Sequence, residues 1–332
     1  MKTLMRYAPA LLLVGLLLCT EAGAQEQVKL AQTGMQFLSV VSDARAGALA
    51  GAVTTLPLGS SSLFFNPACM TEGNMVEAAV SINQWIADIK HTTFSIAYKP
   101  AHGDYGVVGL SVQSVNYGEI LGTAVGSGGT DYVDIGTIDV SSLAVGLGYA
   151  IALSEQFSVG AHVRWVKQDL GQSQVVNADS TTSTYNNKKN PFVVDFGTLF
   201  KTGFKSLAFG MSVRNFSTEV TYVRESFELP LTITLGLSMD MMDFAGDRSI
   251  VNSVLVSVDA VHNRDYREQV FLGAECTVMK LLALRGGLIT NSDEDRWTFG
   301  FGVSQFGLAV DYAYTPFGIF NNVQRVSVRF SM

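Results

Sequence analysis

From about residue 74 to residue 332 the apolar side chains recur at every second position, in short segments separated by clusters of Gly, Asp, Asn and Ser. The clearest segment carries Leu231, Ile233, Leu235, Leu237 and Met239, interleaved with Thr232, Thr234, Gly236 and Ser238. Another sets Trp297, Phe299, Phe301 and Val303 against Thr298, Gly300, Gly302 and Ser304. A period of two turns successive side chains to opposite faces of a pleated strand, so each strand has one greasy face and one small-residue face. Strands are expected near 74–83, 91–100, 106–117, 135–150, 157–168, 191–201, 207–215, 230–239, 249–261, 266–276, 281–288, 297–304, 306–314 and 323–331.

Two architectures alternate in this way: a soluble sandwich and a transmembrane barrel. A sandwich turns its polar faces to water and fills them with Lys, Glu and Thr. Here that face is mostly Gly, Ala and Ser, and only 15% of the chain is charged, against the roughly 25% of an ordinary soluble domain. Small residues suit the inside of a barrel. The sparse charges Arg164, Asp195, Arg214, Glu275, Arg285, Asp311, Arg325 and Arg329 fall on the same small-residue face, where they can pair across a lumen. Beyond the first twenty residues no apolar run reaches 18, so a membrane can be crossed only by strands. An even strand number leaves both ends of the wall on the periplasmic side, and the long connections 118–134, 169–190 and 216–229 then face outward. The expected fold is all-β: a 14-stranded antiparallel transmembrane β-barrel over 74–332 in the outer membrane of a Gram-negative bacterium, in contact with its lipid.

Upstream of the wall, Lys2 and Arg6, the apolar stretch Ala8 to Leu18 and the small-x-small site Ala22-Gly23-Ala24 read as a signal peptide over 1–24, cleaved before Gln25. Residues 25–73 do not alternate. They hold a small, helix-tolerant run from Asp43 to Ala52, a loop from Leu56 to Ser62, and Asn66-Pro67-Ala68. A barrel of this size is too wide for wall side chains alone to fill, so this stretch is expected inside it as a small helical hatch. Arg45, alone in an apolar run, must then meet a carboxylate; Asp195, Glu275 and Asp311 are the lumen candidates, with Asp43 as the local one.

Catalytic signals are sparse. No G-x-S-x-G occurs, His91, His102, His162 and His262 have no ligand spacing, and Gly126-Ser127-Gly128-Gly129 lacks the Lys-Ser/Thr of a phosphate loop. His162 lies on the lumen face as a hydrogen-bonded group. No enzyme, cofactor or metal centre is expected, and a formal charge of −7 disfavours nucleic acid.

The run Asp43 to Ala52, then Asn66-Pro67-Ala68, then Trp85-Ile86-Ala87-Asp88-Ile89 resembles the PorV/PorQ family of outer-membrane proteins, relatives of the FadL fatty-acid transporters. The resemblance is specific over residues 30–100. It implies a barrel with an N-terminal hatch, with Asn66-Pro67 where the hatch passes into the wall. It also implies a role in type IX secretion, in which extracellular loops bind secreted cargo proteins and other secretion-system components; the exposed apolar cluster of Trp85, Ile86, Asp88 and Ile89 would be costly unless it folds over the barrel mouth or contacts such a partner or a ligand. The FadL side of the resemblance implies instead the passage of long-chain fatty acids or another hydrophobic small molecule.

Overall fold

The computed structural model describes residues 33–125, 132–176, 182–222, 225–245, 248–292, 295–318 and 322–332; residues 1–24, read from the sequence as a signal peptide, and Gly126–Gly129 lie outside them. The alternating segments form the wall. In chain order its strands are β1 (Val76–Gln84), β2 (Lys90–Tyr98), β3 (Val107–Asn116), β4 (Ser141–Ala152), β5 (Phe157–Val176), β6 (Phe192–Lys201), β7 (Ala208–Phe216), β8 (Thr232–Asp240), β9 (Val251–Asn263), β10 (Gln269–Val278), β11 (Leu282–Ile289), β12 (Trp297–Gln305), β13 (Leu308–Thr315) and β14 (Val323–Ser331). Each pairs antiparallel with the next, and β14 returns to β1, from Glu77 opposite Ser331 to Gln84 opposite Gln324. The result is a closed 14-stranded antiparallel β-barrel.

The register obeys the alternation. Along β8, Leu235 is 58% exposed while Thr234 is 4% exposed, so the greasy face looks out and the small face in. Outward Trp165, Trp297 and Phe299 sit in the same apolar band. Inward glycines do a different job. A Cβ on Gly160 would stand 2.5 Å from the Ala68 nitrogen, and one on Gly287 2.5 Å from the Ala50 nitrogen, so the wall is bare where another part of the chain presses on it.

That part is residues 33–75, the inner segment. Asp43 caps α1 (Ala44–Ala48) by accepting from the Ala46 nitrogen at 2.9 Å. Leu56 to Ser62, read from the sequence as a loop, lies partly in a 3-10 turn over Gly59–Phe64, and a second such turn covers Pro67–Glu72. Nearly all of this segment is buried: Ala44, Ala46, Ala48, Leu49, Ala52, Val53, Leu58, Leu63 and Met70 are each no more than 1% exposed.

Three stretches differ from the sequence reading. The 169–190 connection is not a loop: β5 runs on to Val176, and Thr182–Lys189 pairs back on it as a hairpin. The segment read as one strand over 135–150 belongs to two elements, Tyr132–Ile138, which pairs with Ile120–Val125 in a ribbon of its own, and β4. A third short ribbon joins Val220–Thr221 to Ser226–Phe227. These pieces lie outside the closed ring of fourteen strands, so the period that marks the wall is missing from them.

Candidate functional site: the filled lumen

The inner segment and the wall meet through two charged clusters and an apolar layer. The first cluster centres on Arg45. Its Nε and Nη2 donate to the two oxygens of Glu275 on β10 at 2.8 and 2.7 Å, and its Nη1 donates to the Pro57 carbonyl at 2.9 Å. Glu275 also accepts from Arg285 of β11, which reaches Asp311 of β13 at 2.6 Å, and Asp311 takes Arg329 of β14 at 2.7 Å. Charges of alternating sign thus run across five residues. Burial works to lower the Arg45 pKa, but the Glu275 carboxylate outweighs it and holds the guanidinium above its ordinary value. Of the carboxylates proposed for Arg45, Glu275 is the direct partner. Asp43 caps its helix, and Asp311 belongs to the same chain of charges, beyond Arg285.

The second cluster gathers on Asp195 of β6. Arg164 donates to it at 2.7 Å, the Asn215 backbone at 2.7 Å, and the His162 Nδ1 lies 3.1 Å away, while the His162 Nε2 meets the Ser111 hydroxyl at 2.8 Å. Asn215 is the extra residue of a bulge in β7, with φ of 63°, so Arg214 and Asn215 share the place opposite Asp195. Arg214 reaches inward to donate to the Phe64 carbonyl at 3.1 Å.

Ser111, His162 and Asp195 stand in the order of a hydrolase triad. All three are buried, none lines a cavity described here, and the Asp195 carboxylate is committed to Arg164 and to the bulge. They fix three wall strands in register from within.

Asn66 and Pro67 do not sit where the inner segment enters the wall. That passage is at Gly73 to Met75, and Asn66 lies deep inside, wholly buried, donating to the carbonyls of Thr54 and Thr198 at 2.7 and 3.0 Å and accepting from Ala68. Its Oδ1 occupies the space a Cβ on Gly197 would need. Pro67 follows at the first position of the 3-10 turn, where its missing N–H costs nothing.

At the mouth, Trp85 turns inward over the rim. Its ring packs edge-on against Phe317 at 5.2 Å and lies 5.7 Å from the Arg325 guanidinium, while Ile89 packs on the apolar layer below. Ile86 is half-buried and Asp88 exposed. That layer joins Met35, Phe37 and Leu38 of the inner segment to Val115, Ala144, Val166 and Val193 of the wall and to Val220 and Leu229 of a loop.

Sequence reasoning missed Asp259, which accepts from the Thr54 nitrogen at 3.0 Å, although it stands on the inward period of Ser257 and Val261. It also missed the Asn215 bulge. The signal was there: outward Met211 and Val213 are followed by Phe216, one position late.

No protein-family model and no curated protein sequence matches this chain. Solved structures do. The CymD monoaromatic hydrocarbon channel superimposes with a TM-score of 0.59 over 89% of this chain and 98% of its own, at 13% identity. The toluene transporter TodX of Pseudomonas putida gives 0.54 over 92% and 98%, at 13% identity, and a FadL homologue of Pseudomonas aeruginosa 0.53 over 87% and 98%, at 11% identity. The fold is that of the FadL-like outer-membrane barrels. In barrels of this kind the short turns face the periplasm. In this barrel the short turns 279–281 and 305–307 lie at one end and the Trp85 rim at the other.

Proposed function

We propose that the protein is a non-enzymatic conduit for small hydrophobic molecules across the outer membrane, with the inner segment as its hatch. One observation carries the reading: the outer part of the lumen is an apolar layer, Met35, Phe37 and Leu38 against Val115, Val166 and Val193, where an ion pore would keep its lumen polar and wet. Such a layer favours an apolar solute and resists ions. The neighbours CymD, a monoaromatic hydrocarbon channel, and TodX, a toluene transporter, support the same substrate class.

The cargo shuttle implied by the PorV/PorQ resemblance is the lesser reading. It draws on residues 30–100 alone, and the inward packing of Trp85 and Ile89 leaves less of that motif free for a secreted protein. The test is uptake of toluene into vesicles holding the full chain, together with ion conductance in planar bilayers. The conduit predicts toluene uptake with low conductance, and large open channels once residues 25–60 are deleted. Absence of uptake, with secreted proteins retained by the outer loops, would reverse the order of the two readings.

A further inference from the structure

Beneath the inner segment, at the short-turn end, lies a cavity of about 680 Å³, the volume of a small-molecule pocket. The Pro57–Ser60 stretch forms one side and the turns 279–281 and 305–307 another, while Glu77 of β1 and Arg329 of β14 reach it from the wall. Four charged residues line it: Glu72, Glu77, Lys280 and Arg329. Glu72 is paired with Lys201 at 2.6 Å, and Lys280 stands exposed on its turn. The other two are set deeper, and each keeps a polar atom without a partner.

Glu77 is only 8% exposed. Its Oε1 accepts from the Asn74 nitrogen at 3.1 Å, whereas its Oε2 takes no hydrogen bond among the described residues. Two glycines leave that oxygen uncovered, since a Cβ on Gly59 would stand 2.6 Å from it and one on Gly73 2.5 Å. The nearby Lys99 does not pair with it; its Nζ donates to the carbonyls of Thr71 and Gly73 at 2.7 and 3.2 Å. Arg329 presents the opposite charge. Its Nε and Nη2 both donate to one oxygen of Asp311, at 3.1 and 2.7 Å, and its Nη1 donates to nothing among the described residues. It also ends the chain Arg45, Glu275, Arg285, Asp311, Arg329, in which three cations face two carboxylates, so one positive charge is left over at the cavity. Glu77 lies opposite Ser331, which makes Arg329 its diagonal neighbour on the same face, with Cβ atoms about 7 Å apart. No ion pair joins the two.

We propose that this cavity binds an amino-acid zwitterion, its ammonium on Glu77 Oε2 and its carboxylate on Arg329 Nη1. A cation alone would leave Arg329 unanswered, and an anion alone would leave Glu77 so; a zwitterion meets both with charge-assisted hydrogen bonds and adds no net charge to a buried site. The site stands apart from the conduit, whose apolar solute offers nothing to either group. Barrels of this kind turn their short-turn end to the periplasm. Two sources of the zwitterion lie there: free amino acids, and the diamino acid in the stem peptides of the cell wall.

The experiment is equilibrium dialysis of radiolabelled meso-diaminopimelate against the full chain in detergent micelles. Saturable binding is expected, competed by unlabelled diaminopimelate but not by pimelate, which lacks the ammonium groups, or by 1,5-diaminopentane, which lacks the carboxylates. Glu77→Gln keeps the shape and removes the charge, and should weaken binding at least tenfold. Should that variant fail to fold, Ser304→Cys in a Cys276→Ser background can be blocked after folding with a bulky maleimide, and the same loss is expected. Purified cell-wall sacculi separate the sources: a chain that sediments with them, while Glu77→Gln stays in solution, takes the wall peptide, and dialysis binding without sedimentation assigns the free amino acid. Absence of saturable binding in dialysis overturns the site, whatever the sacculi do. So does equal binding by the Glu77→Gln or blocked protein, or equal competition by pimelate.

Discussion

Arg45 places a full charge among Ala44, Ala46 and Ala48, three side chains with no measurable exposure, and it is tolerable only because two carboxylate oxygens and a carbonyl meet all three guanidinium nitrogens. Removing one partner of such a buried pair costs about 3–5 kcal/mol when the other is stranded. Glu275 is not stranded, because Arg285 remains beside it. Arg45→Ala should therefore cost about 3 kcal/mol, the low end of that range, and raise ion conductance in planar bilayers; a cost below about 0.5 kcal/mol in urea titration would deny it the role of a tie. Cys69 offers a pH-dependent counterpart. Burial pushes its thiol up, so the folded protein keeps this proton beyond the roughly 8.5 at which an unfolded cysteine releases it. The folded form then binds more protons than the unfolded one, and stability falls as pH rises above that value. A Cys69→Ala variant should lose this part of the alkaline decline, and maleimide should reach Cys69 only after unfolding. Labelling of Cys69 in the folded barrel at neutral pH would contradict the packing around Ala68 and Leu199.

At the scale of the element, β8 allows the two faces of the wall to be probed by neighbouring residues. Leu235→Arg should cost about 2–4 kcal/mol on folding into lipid vesicles, because it sets a cation near the middle of the hydrocarbon band. Thr234→Arg points at the inner segment, next to Gly236, whose Cβ would meet Thr54 at 2.8 Å. Its cost comes from crowding and should largely vanish when residues 25–60 are deleted, whereas the Leu235→Arg cost should persist. Equal responses to the deletion would argue against the register of β8. The same physics explains what was legible in the sequence. Every wall strand must present grease to lipid and small groups inward, so Leu231 to Met239 and Trp297 to Ser304 declared themselves. The Thr182–Lys189 hairpin and the 120–138 ribbon face water on their exposed sides, and nothing forces a period on them. Within the lumen, Arg45 could be matched to a short set of carboxylates because an unpaired buried charge is so costly. Asn66 could not be placed, since its partners are backbone carbonyls of Thr54 and Thr198, and every residue has one of those.

For the whole molecule the testable quantity is orientation. Long connections follow most odd strands and short turns most even ones, with Met241 to Ile250 after β8 the longer exception and Trp85 to Ile89 after β1 and Arg264 to Glu268 after β9 the shorter ones. Protease added to intact cells should cut within 169–190 and spare the turn at 202–206. Cleavage at that turn alone would invert the barrel.

The strand that closes the ring is also one that grips its contents. β14 zips to β1, and from the same strand Ser327 accepts from the Ala44 nitrogen at 2.7 Å while Arg325 donates to the Val41 carbonyl at 2.7 Å. Sealing the cylinder and seating its filling therefore draw on the same strand: a sheet closed without residues 41–44 in place would leave the contacts of Ser327 and Arg325 to the inner segment unmade.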